Sequence, residues 1–372
     1  MKFTCTKENL NHALALVGGL TGKQTNLPIL SNILIKVEES KVNFISTNLE
    51  IAVKVDLRAK VEKTGTFTVP AKTLSDYISL LSDEQINLSQ KDNELIVKCG
   101  NSSTKIKGSS AEDFPLIPDI EEEHSYTLDS ELFKDSLSKT VVAAAKNEIR
   151  PELSGVYFNF VKNNKNLVLA ATDSYRLAEK QVELQQGDDE FDCIVPGRAV
   201  YEMIRLINLS KNIESETKVR LWVSENQIAI RFNDFEMSSR LVDGKYPDYT
   251  QIIPGEFKTT ATVPTDIMIN KIKAASLFTT LGVNAVSFDL NVENNTVGIS
   301  STSTQTGEHS SEIDAAVEGE ENSILLNHRY VLEGLQNMTG EVEFKVNSAD
   351  APCLLKPKTN NNYIYIVMPI RQ

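Results

Sequence analysis

One hairpin, met three times at nearly constant spacing, constrains this chain more than any other feature. In LVLAATDSYRLAEKQV, Leu167 to Val182, an apolar run ends at Thr172-Asp173-Ser174 and a second run follows from Tyr175. Asp and Ser side chains bond nearby backbone groups and favour turns, so the stretch predicts strand, turn, strand. Upstream, VNFISTNLEIAVKV (Val42 to Val55) carries Thr47-Asn48 between similar runs. Downstream, TVGISSTSTQTGEHSSEID (Thr296 to Asp314) places Thr302 in a comparable turn with a longer polar loop. The steps are 125 residues (47 to 172) and 130 residues (172 to 302). A second landmark keeps the same spacing. Leu74, Tyr77, Ile78 and Leu81 begin four residues after Pro70, and Val200, Met203, Ile204 and Ile207 begin four after Pro196. Both sets trace one helical face. In the third case Val331 stands four residues after Asn327, with Leu335 and Met338 on the same face. The chain is triplicated.

Each repeat opens with a strand and a helix. The first helix, near Lys7 to Val17, carries Leu10, Leu14 and Val17 on one face, with Thr6 as N-cap and Gly18-Gly19 as its end. Its counterparts carry Phe133, Leu137, Val141 and Ala144, then Met268, Ile272 and Ala275. With two helices and about eight short strands per repeat, the class is α+β with the sheet dominant. DFPLIPDIEEEH and LVDGKYPDYTQIIP read as linkers, dividing the chain at 1–120, 121–254 and 255–372. Identical units joined head to tail repeat one rotation and give a closed ring or an open spiral. Three units closed by a twofold partner make six; a bent three-domain monomer is the alternative.

The net charge of −13 argues against a nucleic-acid partner if charge is evenly spread. Here the acidic runs Glu121-Glu122-Glu123, Asp188-Asp189-Glu190 and Glu318 with Glu320-Glu321 fall in expected loops, while Lys and Arg recur near helix starts. Cys5, Cys99, Cys193 and Cys353 are far apart and read as reduced core residues. No run approaches the roughly 20 apolar residues of a membrane span, and MKFTCTKENL lacks a signal peptide's apolar segment, so a cytoplasmic protein is expected. GGLTGKQ (Gly18 to Gln24) imitates a phosphate loop, but Val17 holds the first glycine position and Gln24 the Ser/Thr position. His12, His124, His309 and His328 lie in different segments without metal-ligand spacing. No cofactor and no catalysis are expected.

The whole chain resembles the bacterial DNA polymerase III beta sliding clamp family. Met1-Lys2-Phe3-Thr4, Leu27-Pro28-Ile29-Leu30 and Ala171-Thr172-Asp173-Ser174-Tyr175-Arg176-Leu177-Ala178 carry the resemblance. So do Leu241-Val242-Asp243-Gly244, Tyr246-Pro247-Asp248-Tyr249 and Val367-Met368-Pro369-Ile370-Arg371. The resemblance implies three clamp-fold domains, paired head to tail as a six-domain ring around duplex DNA that is bound without regard to sequence. It also implies partners: the replicative polymerase subunit, the clamp loader and other proteins bearing a clamp-binding motif, with no membrane. Their peptides would enter a pocket formed by Leu153, Thr172, Tyr175, Leu177, Pro247, Ile252, Ile366 and Met368, with Arg176, Asn327, Tyr330, Pro369, Ile370 and Arg371 at its margin. An apolar groove with polar rim groups suits an apolar anchor; for Leu153 and Ile252 plain core packing is the alternative. For DNA the matching positions are Lys23, Gln24, Lys72, Lys146, Asn147, Arg150 and Arg198; for the ring seam, Ile106 on an edge strand Ser103–Lys107, and Leu277.

The chain departs from the family pattern in four places. Tyr175 stands where a histidine is common, and Gln251 replaces a basic rim residue. Pro151-Glu152 stands where an aromatic pair can occur, and Asn101 and Ser103 where relatives are basic, which predicts a seam that opens more readily. The rival to a DNA ring is a repeat scaffold that binds peptides without encircling DNA.

Overall fold

The computed structural model describes the chain except residues 23–26, 83–84, 118–119, 148, 162–164, 188, 211–216, 281, 360–361 and 372. Among the described residues six helices stand where the apolar spacing predicts them: α1 Lys7–Val17, α2 Ala71–Ser79, α3 Ser130–Val141, α4 Gly197–Leu209, α5 Thr265–Ser276 and α6 His328–Leu335. Thr6 caps α1 by accepting from the Asn9 N–H at 3.2 Å, and Asn327 caps α6 by accepting from the Arg329 N–H at 3.0 Å. Ala144 lies beyond the end of α3, which turns off at Val141.

The triplicated hairpin is repeated down to its hydrogen bonds. Thr172 Oγ1 donates to the Arg176 carbonyl at 2.6 Å, Asp173 accepts from the Tyr175 and Arg176 N–H groups, and Ser174 takes φ +76°. Thr47 donates likewise to the Ile51 carbonyl, Asn48 accepts from the Glu50 and Ile51 N–H groups, and Leu49 takes φ +77°. In the third repeat the turn shifts by one residue. There Ser303, rather than Thr302, accepts from the Gln305 N–H, and Gly307 supplies the left-handed backbone at φ +101°.

By contacts the chain forms two compact units whose limits follow sheets rather than repeats. The first comprises Met1–Lys134, Leu184–Asp189 and Arg198–Leu241; the second comprises Asp135–Glu183, Glu190–Gly197 and Val242–Gln372. In the first unit an eight-stranded antiparallel sheet runs His124–Asp129, Lys218–Val223, Gln227–Phe232, Phe235–Arg240, Ile51–Leu57, Val42–Thr47, Asn32–Val37, Gly65–Pro70. The last strand of repeat 2 thus pairs with the hairpin strand of repeat 1, Met237 opposite Val53. The other sheet of this unit ends in strand Ser102–Lys107.

In the second unit a nine-stranded sheet makes the corresponding junction. The hairpin strand of repeat 2, Arg176–Glu183, pairs with the last strand of repeat 3, Tyr363–Val367, Leu177 opposite Ile366. A four-stranded sheet of repeat 3 ends in its own hairpin strand, Gly307–Asp314. Alternate residues of the hidden strands are fully buried, as in Val53, Val55, Phe158 and Phe160. Lys60–Lys63 and Ala316–Gly319 are strands the sequence reading passed over; their short, largely charged or exposed runs carry no apolar alternation.

Side chains tie repeat 1 to repeat 2 within the first unit. Arg205 of α4 donates to the carbonyls of Ala15 (2.8 Å) and Leu16 (2.5 Å) at the C-terminus of α1, and to both Glu202 oxygens. Ser46 Oγ donates to the Val17 carbonyl at 2.7 Å. The orphan carbonyls that end a helix thus find partners from outside it. Gly19 permits this approach, because a Cβ there would lie 2.5 Å from Arg205 Nη2.

His12 of α1 completes the junction. Its Nε2 lies 2.9 Å from Asp234 Oδ2, a contact bent away from ideal hydrogen-bond geometry, and Ser210 Oγ donates to Asp234 Oδ1 at 2.8 Å. Contact with Asp234 raises the imidazole above its ordinary value against the opposing effect of burial, with Asp234 and Glu8 charge adding to the rise. Burial alone would raise the Asp234 carboxyl, but His12 and Ser210 outweigh it and hold it low. The charged imidazole therefore stabilises the fold fully below pH 6.5, and its contribution fades as pH rises through the higher folded value; the carboxylate stays ionised throughout this window. His12→Asn is expected to lose about 0.5–1 kcal/mol at pH 6 but little at pH 8.5. Urea unfolding followed by fluorescence of Trp222, the chain's single tryptophan, checks this, and equal losses at both pH values would refute it.

Candidate peptide groove and basic surface

The second unit gathers the residues expected to form a pocket. Leu153, Leu177 and Ile366 pack with Ala170, Ile194, Tyr246, Tyr249 and Leu354 in one cluster, flanked by Tyr157, Val242, Ile253 and Phe257. Gly244 turns the chain at φ +125° just before Tyr246. Tyr246 stacks on Tyr157 with ring centroids 4.9 Å apart, and Tyr249 donates to Glu179 Oε2 at 2.7 Å. Burial pushes the Tyr157 hydroxyl up to about 12. The sequence reading named Pro247 but neither flanking tyrosine; the Tyr-Pro-Asp-Tyr spacing was the signal that could have found them.

Residues 368–370 are stitched to the hairpin of repeat 2 and to strand Asn322–Asn327 of repeat 3. The Met368 N–H donates to the Tyr175 carbonyl and the Ile370 N–H to the Leu325 carbonyl, both at 2.8 Å. Met368, Pro369, Ile370, Pro247, Asn327 and Tyr330 are half-buried, Ile252 and Arg371 exposed, and Thr172 buried. Tyr175 is 62% exposed and lies nearly parallel to Tyr330, with centroids 6.3 Å apart.

Arg176 does not stand at a margin. It is 3% exposed, its Nε donates to Asp173 Oδ2 at 3.1 Å, and its Nη1 reaches Glu333 Oε2 and the Tyr365 hydroxyl. Its guanidinium lies 4.8 Å from the centre of the Tyr330 ring. Burial works against the charge, but Tyr365, Glu333 and Asp173 together hold Arg176 above the ordinary arginine value. A buried guanidinium persists when its fork is filled in this way.

The residues expected at DNA are divided. Lys72 and Arg198 stand exposed in the first turns of α2 and α4 in the first unit. Lys146, Asn147 and Arg150 are exposed in the second unit, where Arg150 pairs with Glu152 at 2.9 Å. Lys23 and Gln24 lie outside the described residues. Ile106 is 6% exposed and lines a shallow cavity of about 330 Å³ with Pro70, Thr73, Tyr77, Thr104 and Lys107, whereas Leu277 is 70% exposed at the end of α5. All four cysteines are free and buried, and burial pushes the Cys5 thiol up to about 12.

Three α+β repeats that share sheets across their junctions, with an apolar cluster at one junction, define a clamp-type binding protein. Family models for the N-terminal, central and C-terminal domains of the DNA polymerase III beta subunit match residues 1–118, 127–248 and 250–371. The chain belongs to that family, the bacterial sliding clamps. It is 28% identical to the beta sliding clamp of Synechococcus elongatus over 100% of this chain and 99% of that protein. Among solved structures it is similar to the beta subunit of Thermotoga maritima (27% identity, TM-score 0.92) and the sliding clamp of Bacillus subtilis (26%, 0.93). Each match covers 100% of this chain and 99% of the other.

Proposed function

We propose that two copies of this chain close head to tail into a six-domain ring that encircles duplex DNA and tethers the replicative polymerase. The observation that carries this reading is the pattern of shared sheets. The hairpin strand of repeat 1 pairs with the last strand of repeat 2, and the hairpin strand of repeat 2 with the last strand of repeat 3. The same rule assigns the hairpin strand of repeat 3, Gly307–Asp314, to the last strand of repeat 1, Ser102–Lys107, in a second copy. Among the described residues each of these strands ends its sheet. Side-chain alternation puts Lys105 and Lys107 on the exposed face of one strand and Glu308 and Glu312 on the exposed face of the other. Opposite charges across paired strands are favourable. Leu277 would enter the cavity beside Ile106.

The three repeats are the clamp domains 1–120, 121–254 and 255–372. Lys23, Gln24, Lys72, Lys146, Asn147, Arg150 and Arg198 supply phosphate contacts, which position a ring without reading sequence. The groove of Leu153, Thr172, Tyr175, Leu177, Pro247, Ile252, Ile366 and Met368 takes apolar peptide anchors from the polymerase, the clamp loader and other motif-bearing proteins. Asn327, Tyr330, Pro369, Ile370 and Arg371 form its rim. The protein acts by topology rather than catalysis, in the cytoplasm; no helix among the described residues is long and apolar enough to cross a membrane.

Retention on DNA tests the reading. Loaded protein is expected to stay on nicked circular DNA through gel filtration and to run off after the circle is cut once. Equal loss from both forms would leave a peptide-binding scaffold instead.

A further inference from the structure

We propose that Glu333 is a positioning residue for peptide capture: through Arg176 it fixes the Tyr175–Tyr330 aromatic pair at the groove. The inference rests on the peptide-groove reading above. A chain of direct contacts makes the path. Glu333 on α6 holds Arg176 Nη1, and Asp173 holds Arg176 Nε at 3.1 Å. Asp173 also accepts from the Tyr175 N–H at 3.0 Å, so the same carboxylate orients the turn that presents Tyr175. Arg176 Nη1 donates to the Tyr365 hydroxyl at 3.3 Å, which donates in turn to the Tyr330 carbonyl at 3.0 Å. The guanidinium also covers one face of the Tyr330 ring, while Tyr175 lies along the ring at 6.3 Å.

The chemistry makes Glu333 the adjustable member. Arg176 is enclosed and Asp173 builds the turn, whereas the Glu333 side chain is 36% exposed and its backbone already sits in a helix. Without the carboxylate, Arg176 keeps Asp173 and the 3.3 Å contact to the Tyr365 hydroxyl, so the fold survives, but the guanidinium loses its ionic anchor on α6, the helix that carries Tyr330, and can swing toward Asp173. A cation–π contact of this kind contributes about 0.5–2 kcal/mol. Losing it lets Tyr330, and Tyr175 beside it, sample positions that a bound peptide must then pay to order. Loss of preorganisation appears mainly as faster dissociation.

The test uses the full chain and a fluorescein-labelled peptide carrying the clamp-binding segment of the same organism's replicative polymerase. Ala is the best helix former, so Glu333→Ala leaves α6 intact; Glu333→Gln keeps an acceptor oxygen at the same reach. Glu333→Ala is expected to weaken peptide binding about tenfold through the dissociation rate, with the melting temperature within about 3 °C of the parent. Glu333→Gln should bind within about threefold of the parent. A Glu333→Ala affinity within twofold of the parent overturns the proposal. So does equal weakening in both variants with a matching fall in melting temperature, since that marks a purely structural residue. Failure of the parent itself to bind the peptide would instead overturn the groove reading, and this inference with it.

Discussion

Reversing two charges on one strand, Lys105→Glu with Lys107→Glu, is expected to turn the dimer into a monomer at micromolar concentration. The chain's 41.3 kDa would then be the mass in solution, in place of twice that value. Both lysines are exposed, and Lys105 pairs only loosely with Glu94 at 3.3 Å, so the folded subunit loses little. At the seam the loss is larger. The attraction of Lys105 and Lys107 for the carboxylates of Glu308 and Glu312, direct or diagonal, becomes repulsion across strands whose facing side chains are about 5 Å apart. A hundredfold rise in the dimer dissociation constant, about 2.7 kcal/mol, is the expected scale. Light scattering over a concentration series measures it. Restoring the opposite signs with Glu308→Lys and Glu312→Lys should recover most of the dimer, and the effect should shrink in high salt. A reversed protein that dimerises like the parent would place the seam on other strands.

Arg205→Ala is expected to cost the first unit about 2–4 kcal/mol. Three losses coincide. The α1 carbonyls of Ala15 and Leu16 lose their donor, Glu202, buried in the parent, loses its ionic partner, and the link from α4 to α1 is cut. A buried charge stripped of its counter-ion is the largest of these. Arg205→Lys should recover less than half, because an ammonium cannot reach two carbonyls and a carboxylate in one plane. Urea unfolding read by Trp222, which is buried in the same unit, reports the change directly. A cost below 1 kcal/mol would show that the shared sheet, Ile51–Leu57 against Phe235–Arg240, holds repeats 1 and 2 together unaided.

Much of this molecule was legible in the sequence because the deciding forces are local. Apolar residues at helical spacing must bury one face, so α1, α2, α5 and α6 fall where Leu10, Leu74, Met268 and Val331 predict. Thr-Asx turns form from their own side chains, so the hairpins at Thr47 and Thr172 could be read directly, and even the third differs only by a shift to Ser303. The family resemblance found Leu153, Leu177 and Ile366, and the fold brings those three together.

Strand partnership across repeats could not be read that way. Backbone hydrogen bonds between strands carry no residue identity, so nothing in Ile51–Leu57 announces that it pairs with Phe235–Arg240 rather than with a strand of its own repeat. The two compact units, which cut repeat 2 along its sheets, follow from that pairing. Arg176 shows the same limit at one residue. A lone arginine in a polar turn reads as exposed, but Asp173, Glu333, Tyr330 and Tyr365 arrive from 3 to 189 positions away and make burial of its charge affordable. The sequence by itself determined three repeats, their helices and their turns, because each is set within a few residues. The tertiary structure alone decided which edges are shared, which are left open and which charges are enclosed, because those depend on partners distant in the chain.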